Sequence, residues 1–195
     1  MSTFWLVFGP IFGGLISGVI GFSSQWLTDA RRRKFATKLF VQGLIEDLRH
    51  YITMSKRIEE DYRKSGIIYF NLINSIYESR GHYLRNRDFV LGISDSGLRA
   101  ELQEFYRHSN DLLTGLQNGQ QRLDEIRRLI GDRAQNFWNQ DNRLTYDQVF
   151  ARAEQMMQVE VGERQGLNIL IPRHLEELRE SRAVATRLSD LLSGQ

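Results

Sequence analysis

Five cationic and aromatic residues fall between positions 80 and 87, the densest such group outside the N-terminal segment. They are Arg80, His82, Tyr83, Arg85 and Arg87. Arginine and histidine donate hydrogen bonds to phosphate oxygens, and a tyrosine ring offers a face on which a nucleobase stacks. A second cationic group comprises Arg122, Arg127, Arg128 and Arg133, with Phe137 and Trp138 nearby. Both groups are candidate sites for an anionic nucleotide or oligonucleotide ligand. The alternative is a solvated face whose charges form ion pairs along a helix.

No pattern typical of catalysis or of metal binding accompanies these two groups. The four histidines, at positions 50, 82, 108 and 174, lack the spacing of a helical metal site. Neighbouring carboxylates such as Glu176 and Glu177 point to different faces of a helix, so they do not form an acid–base pair. The sequence also lacks cysteine and any phosphate-binding glycine loop. We therefore expect no enzyme activity, no catalytic residues, no cofactor and no metal site.

The element that precedes these groups is a segment without charged side chains, Met1 to Thr28, followed by the basic cluster Arg31, Arg32, Arg33 and Lys34. A helix of about 20 apolar residues crosses the bilayer core, and flanking cations remain on the cytoplasmic side. We predict a transmembrane helix at 1–28, a basic juxtamembrane cluster at 29–34 and a cytosolic helical domain at 35–195. The expected location is the bacterial inner membrane, with the N-terminus outside.

Two alternatives to a membrane anchor are a cleaved signal peptide and a buried core helix. A signal peptide carries positive charge before its apolar run, whereas here the positive charge follows it. A core helix of a soluble protein seldom continues this long without a charge. The pattern therefore favours an anchor that is retained in the bilayer.

Small residues recur at helical spacing inside the apolar segment, at Gly14, Ser17, Gly18, Gly21 and Ser24. Such residues allow two helix backbones to approach closely in lipid, so this seam predicts association between copies of the chain. A ring of small, weakly polar residues also lines some pores, which makes the seam a candidate pore face. The alternatives are that glycine is merely common in membrane helices and that the serines only bond between helices.

Charge and composition indicate an all-α protein. The chain carries a net charge of +2, to which Asp29 and the basic cluster contribute +3, so residues 35–195 sum to −1. The basic balance therefore does not indicate nucleic-acid binding by the domain itself. Only two prolines occur and 26% of residues are charged, which is typical of long helices.

The domain shows several helical stripes and their boundaries. The first helix is expected to continue from the membrane and to end at Ser65–Gly66. A heptad seam runs from Leu98 to Ile130 and is a second candidate surface for assembly. Asp95 or Ser96 is expected to cap its start, and a capping box is expected at Thr145. We predict a loop at 131–142, a break around Gly162 and Gly166, and a last helix after Pro172.

The expected layout combines one glycine-rich spanning helix, a basic cluster after it and an all-helical cytosolic part. It resembles the layout of small membrane effectors of bacterial antiphage defence. It is similar to the membrane effector of Hailong systems, and this implies an oligomeric, channel-like protein held quiet by a nucleotide-derived DNA ligand. The resemblance covers the layout alone and transfers no site residue. The expected function is a pore-forming or membrane-perturbing effector gated by its helical domain. The alternative is a non-conducting, membrane-tethered scaffold or sensor.

Overall fold

The computed structural model describes the backbone of residues 3–141 and 143–194, and the side chains of residues 31–141 and 143–194. The predicted transmembrane helix and its small-residue seam, Gly14 to Ser24, therefore lie outside the described side chains. Among residues 31–141 and 143–194, no helix combines the length and the apolar character needed to cross a membrane.

Every regular element in the described part of the chain is helical, which confirms the all-α prediction. The elements are α1 (Thr3–Ser65), α2 (Phe70–Ser79), α3 (Gly81–Arg85), a 3-10 helix (Arg87–Gly92), α4 (Ser96–Gln140), α5 (Tyr146–Met156) and α6 (Gln158–Ser193). The long helices α1 and α4 both pack against α6. Helices α2 and α3 cover one side of α1, and α5 packs against the C-terminal part of α4.

Three of the predicted helix boundaries are confirmed. Helix α1 ends at Ser65, followed by Gly66, whose φ of +65° is a conformation that side-chain-bearing residues rarely adopt. Asp95 caps α4 by accepting hydrogen bonds from the amides of Gly97 and Leu98, at 2.7 and 3.1 Å. Thr145 forms the predicted capping box at the start of α5.

The heptad seam of α4 is buried inside the domain. All ten of its residues, Leu98, Leu102, Phe105, Ser109, Leu112, Leu116, Gly119, Leu123, Ile126 and Ile130, are buried in the single chain. An added Cβ at Gly119 would lie 3.3 Å from Ile171 of α6, so the glycine permits a close helix contact. The seam builds the core of one copy, and the expectation that it is an assembly surface is not supported.

Two predicted breaks are wrong. Helix α4 continues through Gly131 to Gln140, because Ala134 and Phe137 extend the buried spacing and pack against α5. Helix α6 likewise runs through Gly162, Gly166 and Pro172. A glycine costs a helix only about 1 kcal/mol, which burial of the neighbouring turns can offset. The helical run is interrupted at Met157 instead, between α5 and α6.

Candidate anion-binding cleft

The residues of the first cationic and aromatic group divide between two faces of α3. A helix places residues three or four apart on one face and intervening residues on another. Tyr83, with Arg80 and Arg87 on either side of α3, faces α4 and lines a cleft of about 560 Å³. His82 instead contacts α1. The structure therefore brings three of the five residues together and separates His82 from them.

The floor of the cleft is a pair of stacked tyrosines. Tyr83 is 3% exposed and its ring lies parallel to that of Tyr106 in α4, with centroids 3.8 Å apart and an interplanar angle of 7°. Stacked rings contribute binding energy beyond the area they bury. This pair joins α3 to α4 and fixes the position of the cationic residues around it.

Arg80 forms the inner wall of the cleft and is only 5% exposed. Its guanidinium donates hydrogen bonds to the carbonyl oxygen of Tyr106 and, at 3.4 Å, to the Oδ1 atom of Asn110. Its Cζ atom lies 5.5 Å from the ring centroid of Tyr106, within cation–π range. Burial lowers the pKa of Arg80 from its usual value, and the neighbouring tyrosines oppose that shift. Arg80 thus both supports the fold and contributes positive charge to the cleft.

Arg87 and Arg107 supply the exposed cations of the cleft. Arg87 lies over the ring of Tyr83, with its Cζ atom 6.0 Å from the centroid. Arg107, on the α4 wall, forms a two-pronged ion pair with Glu104, at 2.6 and 3.2 Å. Three arginines and two carboxylates, Glu104 and Asp111, therefore line the cleft. The net positive charge suits a ligand that carries an anionic group, whereas the two tyrosine rings are each 3% exposed and stack on each other.

The opposite face of α3 is locked to α1. The Nε2 atom of His82 lies 3.3 Å from the carbonyl oxygen of Phe40, and its ring stacks on the Phe40 ring. Asp47 of α1 is 8% exposed, and its carboxylate lies close to the backbone of Tyr83, which acts to lower the pKa of Asp47. Burial raises the pKa of Asp47 to about 6, while the charges of His82 and Arg85 act in the opposite direction. Arg85 therefore belongs electrostatically with this face, although its side chain is exposed.

The second cationic group lies away from the cleft, and three of its four arginines have a carboxylate partner, while Arg133 lies over the ring of Phe137. Arg122 of α4 makes 2.7 Å contacts to both carboxylate oxygens of Glu163 in α6. The other pairs are Arg122 with Glu125, Arg127 with Asp124 and Arg128 with Asp132. This geometry favours the alternative of a solvated face with ion pairs. Arg31, Arg32, Arg33 and Lys34 are exposed on α1.

Four residues around α3 are not among the candidates that the sequence pattern indicates: Tyr106, Asn110, Arg107 and Asp47. Tyr106 directly follows Phe105 of the heptad seam and is buried with it. Its position beside the seam was the available signal that α4 forms the second wall of the cleft. Asp47 gave no local signal, because an isolated aspartate in an amphipathic helix normally faces solvent.

Two buried tyrosines test how a hydroxyl with and without a hydrogen-bond partner affects stability. The hydroxyl of Tyr51 donates to Ser181 at 2.9 Å, whereas the buried hydroxyl of Tyr106 has no hydrogen-bond partner among the described residues. An unpartnered buried polar group is destabilising. We expect Tyr106→Phe to leave the free energy of unfolding unchanged or to raise it by about 1 kcal/mol, and Tyr51→Phe to lower it by about 1 kcal/mol. Urea denaturation of both variants checks this, and equal losses would contradict it.

Comparison of the chain with protein-family models, with curated proteins and with solved structures found no match.

Proposed function

We propose that this protein is a homo-oligomeric, single-pass membrane effector of the pore-forming or membrane-perturbing type. In this proposal residues 1–28 span the bacterial inner membrane, with the N-terminus outside, and the helical domain lies in the cytoplasm. The uncharged segment, the basic cluster after it and the small-residue seam support the anchor and the assembly. The layout resemblance to membrane effectors of antiphage defence supports the type of function.

The observation that carries the proposal is the position of Tyr83 between the cleft and α1. Its ring stacks in the floor of the cleft, while its backbone lies close to the carboxylate of Asp47 in α1. Helix α1 is unbroken from Thr3 to Ser65, so it continues from the domain into the uncharged segment. A ligand that moves Tyr83 therefore acts directly on the helix that enters the proposed membrane span.

An anionic nucleotide or oligonucleotide is the proposed ligand of the cleft. Such a ligand shifts the population of closed and open assemblies only by binding one of them more tightly than the other. Arg87 is the exposed cation nearest the stacked rings, and charge-assisted hydrogen bonds contribute roughly 1.5 to 3 kcal/mol each. We expect Arg87→Ala to weaken binding about tenfold or more.

The binding experiment uses the full-length protein in detergent, with ATP and a six-nucleotide single-stranded DNA as separate probes. Arg85→Ala is the matched control, because Arg85 is an exposed arginine two residues before Arg87 and does not line the cleft. A loss of binding with Arg87→Ala and not with Arg85→Ala supports the ligand class. Equal effects of the two variants, or no binding of either probe, contradict it.

Dye release from liposomes tests the effector function. The full-length protein is purified in detergent, its mass is measured, and it is reconstituted with and without each probe. A defined oligomer that releases dye, or does so only when a probe is added or removed, supports a gated pore. A defined oligomer that never releases dye favours the scaffold or sensor, and a monomer contradicts assembly.

Replacing Gly14 and Gly18 together with leucine is expected to abolish both assembly and dye release, because bulky side chains prevent close backbone approach. The matched control is Gly162→Leu with Gly166→Leu, a second pair of glycines four residues apart in a helix. An added Cβ at either control position meets no atom within 4 Å, so the domain tolerates it. Unchanged assembly in the first variant would contradict the proposed seam.

A further inference from the structure

Two large apolar side chains are exposed on α1 immediately after the basic cluster. Phe35 is 64% exposed and Leu39 is 50% exposed, and they lie one turn apart on the same side of the helix. The core side of α1 is a different face, formed by Phe40, Leu44 and Leu48, each at most 2% exposed. Thus the first turns of the domain present an apolar face that the domain itself does not cover.

This face continues the small-residue seam in register. Phe35 follows Gly14 by 21 residues and Leu39 follows Gly18 by 21 residues, which is three heptads in each case. A straight helix drifts about 20° per heptad, so three heptads move a position by only about 60° around the axis. Because α1 has no break between these positions, the seam and the exposed pair share one side of one helix.

We propose that Phe35 and Leu39 pack against α1 of a second copy, and so extend the assembly seam out of the membrane into the domain. This inference rests on the proposed homo-oligomer, and it adds a contact surface to it. Farther along α1 the same side becomes polar, with Glu46, Thr53 and Arg57. The contact between copies therefore ends about one turn after Leu39, where exposed polar side chains replace the apolar pair.

A second copy fits this face better than the membrane surface does. Leu39 lies 11 residues beyond Thr28, which corresponds to about 16 Å along a helix. The headgroup layer extends only about 5 to 8 Å beyond the hydrocarbon core. Leu39 is therefore beyond the lipid when α1 stands upright in the bilayer. Arg32 falls on the same side at the level of the lipid phosphates, where anionic headgroups offset repulsion between copies.

The absence of cysteine from the chain allows a direct test by disulfide cross-linking. Single-cysteine variants Leu39→Cys, Lys38→Cys and Ser24→Cys are oxidised in native membranes and scored for covalent dimer. Lys38 is the matched control, since it is exposed on the next residue and points about 100° away around the helix. Ser24→Cys reports assembly inside the proposed span. We expect Leu39→Cys to form at least five times as much dimer as Lys38→Cys.

The outcomes separate this inference from the proposed function. Dimer from Ser24→Cys, with no excess of Leu39→Cys over Lys38→Cys, overturns the extended interface and leaves assembly intact. No dimer from any variant overturns both. Dimer from Leu39→Cys in a protein that never releases dye supports the interface and contradicts the pore. As a second readout, Leu39→Glu is expected to lower the oligomer mass in detergent while Lys38→Glu leaves it unchanged, and the reverse result overturns the interface.

Discussion

Replacing Gly43 with alanine is expected to lower the free energy of unfolding by about 2 kcal/mol, the typical cost of overpacking a tight contact. An added Cβ at Gly43 would lie 2.2 Å from the Nε2 atom of His82, and two more ring atoms would lie at 2.5 Å. The ring cannot retreat without losing its contacts with Phe40. Thermal or urea unfolding, followed by circular dichroism at 222 nm, measures the change.

The control for this prediction is the same substitution without the histidine. In an open helical position, glycine to alanine stabilises by about 1 kcal/mol. We therefore expect Gly43→Ala to become stabilising when it is combined with His82→Ala, so that the effect changes sign between the two backgrounds. Gly131→Ala serves as a second control, because an added Cβ there meets no atom within 4 Å. A loss of equal size in both backgrounds would show that His82 is not the cause.

Replacing Asp47 with asparagine is expected to stabilise the protein at neutral pH by up to about 3 kcal/mol. Burial raises the pKa of Asp47 from 3.8 to about 6, so the folded protein holds a charged carboxylate at a cost above that pH. As pH falls from above 6 to below 4, the folded state binds the proton first, and the contribution of Asp47 to stability rises. The asparagine variant lacks this rise, so its advantage should disappear at acid pH.

Unfolding free energies of wild type and Asp47→Asn, measured between pH 4 and pH 8, check this prediction. Glu46→Gln is the matched control, because it removes a carboxylate from the neighbouring, exposed position of α1. Its difference from wild type should change little with pH over this range. A constant difference between Asp47→Asn and wild type would show that the raised pKa of Asp47 does not govern stability.

The pKa of Glu59 is shifted in the opposite direction, and this limits how low the pH of that experiment can go. Glu59 accepts hydrogen bonds from Arg179 and Arg182 of α6, and these contacts lower its pKa from 4.5 to about 2. A carboxylate with a depressed pKa contributes stability above its unfolded value and loses it as pH falls toward the folded value. The effect of Asp47 is therefore measured most clearly above pH 4.5.

The helical class and several helix ends are predictable from the amino-acid sequence alone. The glycine after Ser65, the aspartate before α4 and the capping box at Thr145 each act on backbone groups within a few residues. Burial of the α4 stripe also followed from its spacing, because a helix that repeats apolar residues on one face must cover that face. These features are local, so the order of residues alone contains them.

Packing between distant parts of the chain governs which side chains meet and which helices continue through glycine. The Tyr83–Tyr106 stack, the separation of His82 from the cleft and the burial of Asp47 all depend on where α3 docks between α1 and α4. The side-chain oxygen of Gln120 likewise accepts a hydrogen bond from the backbone N–H of Ile68, 52 residues away, at 3.0 Å. Local propensity differs by only about 1 kcal/mol between continuing and ending a helix at glycine. Packing against distant residues contributes more free energy than this difference in propensity. A short stretch of sequence does not identify those distant residues.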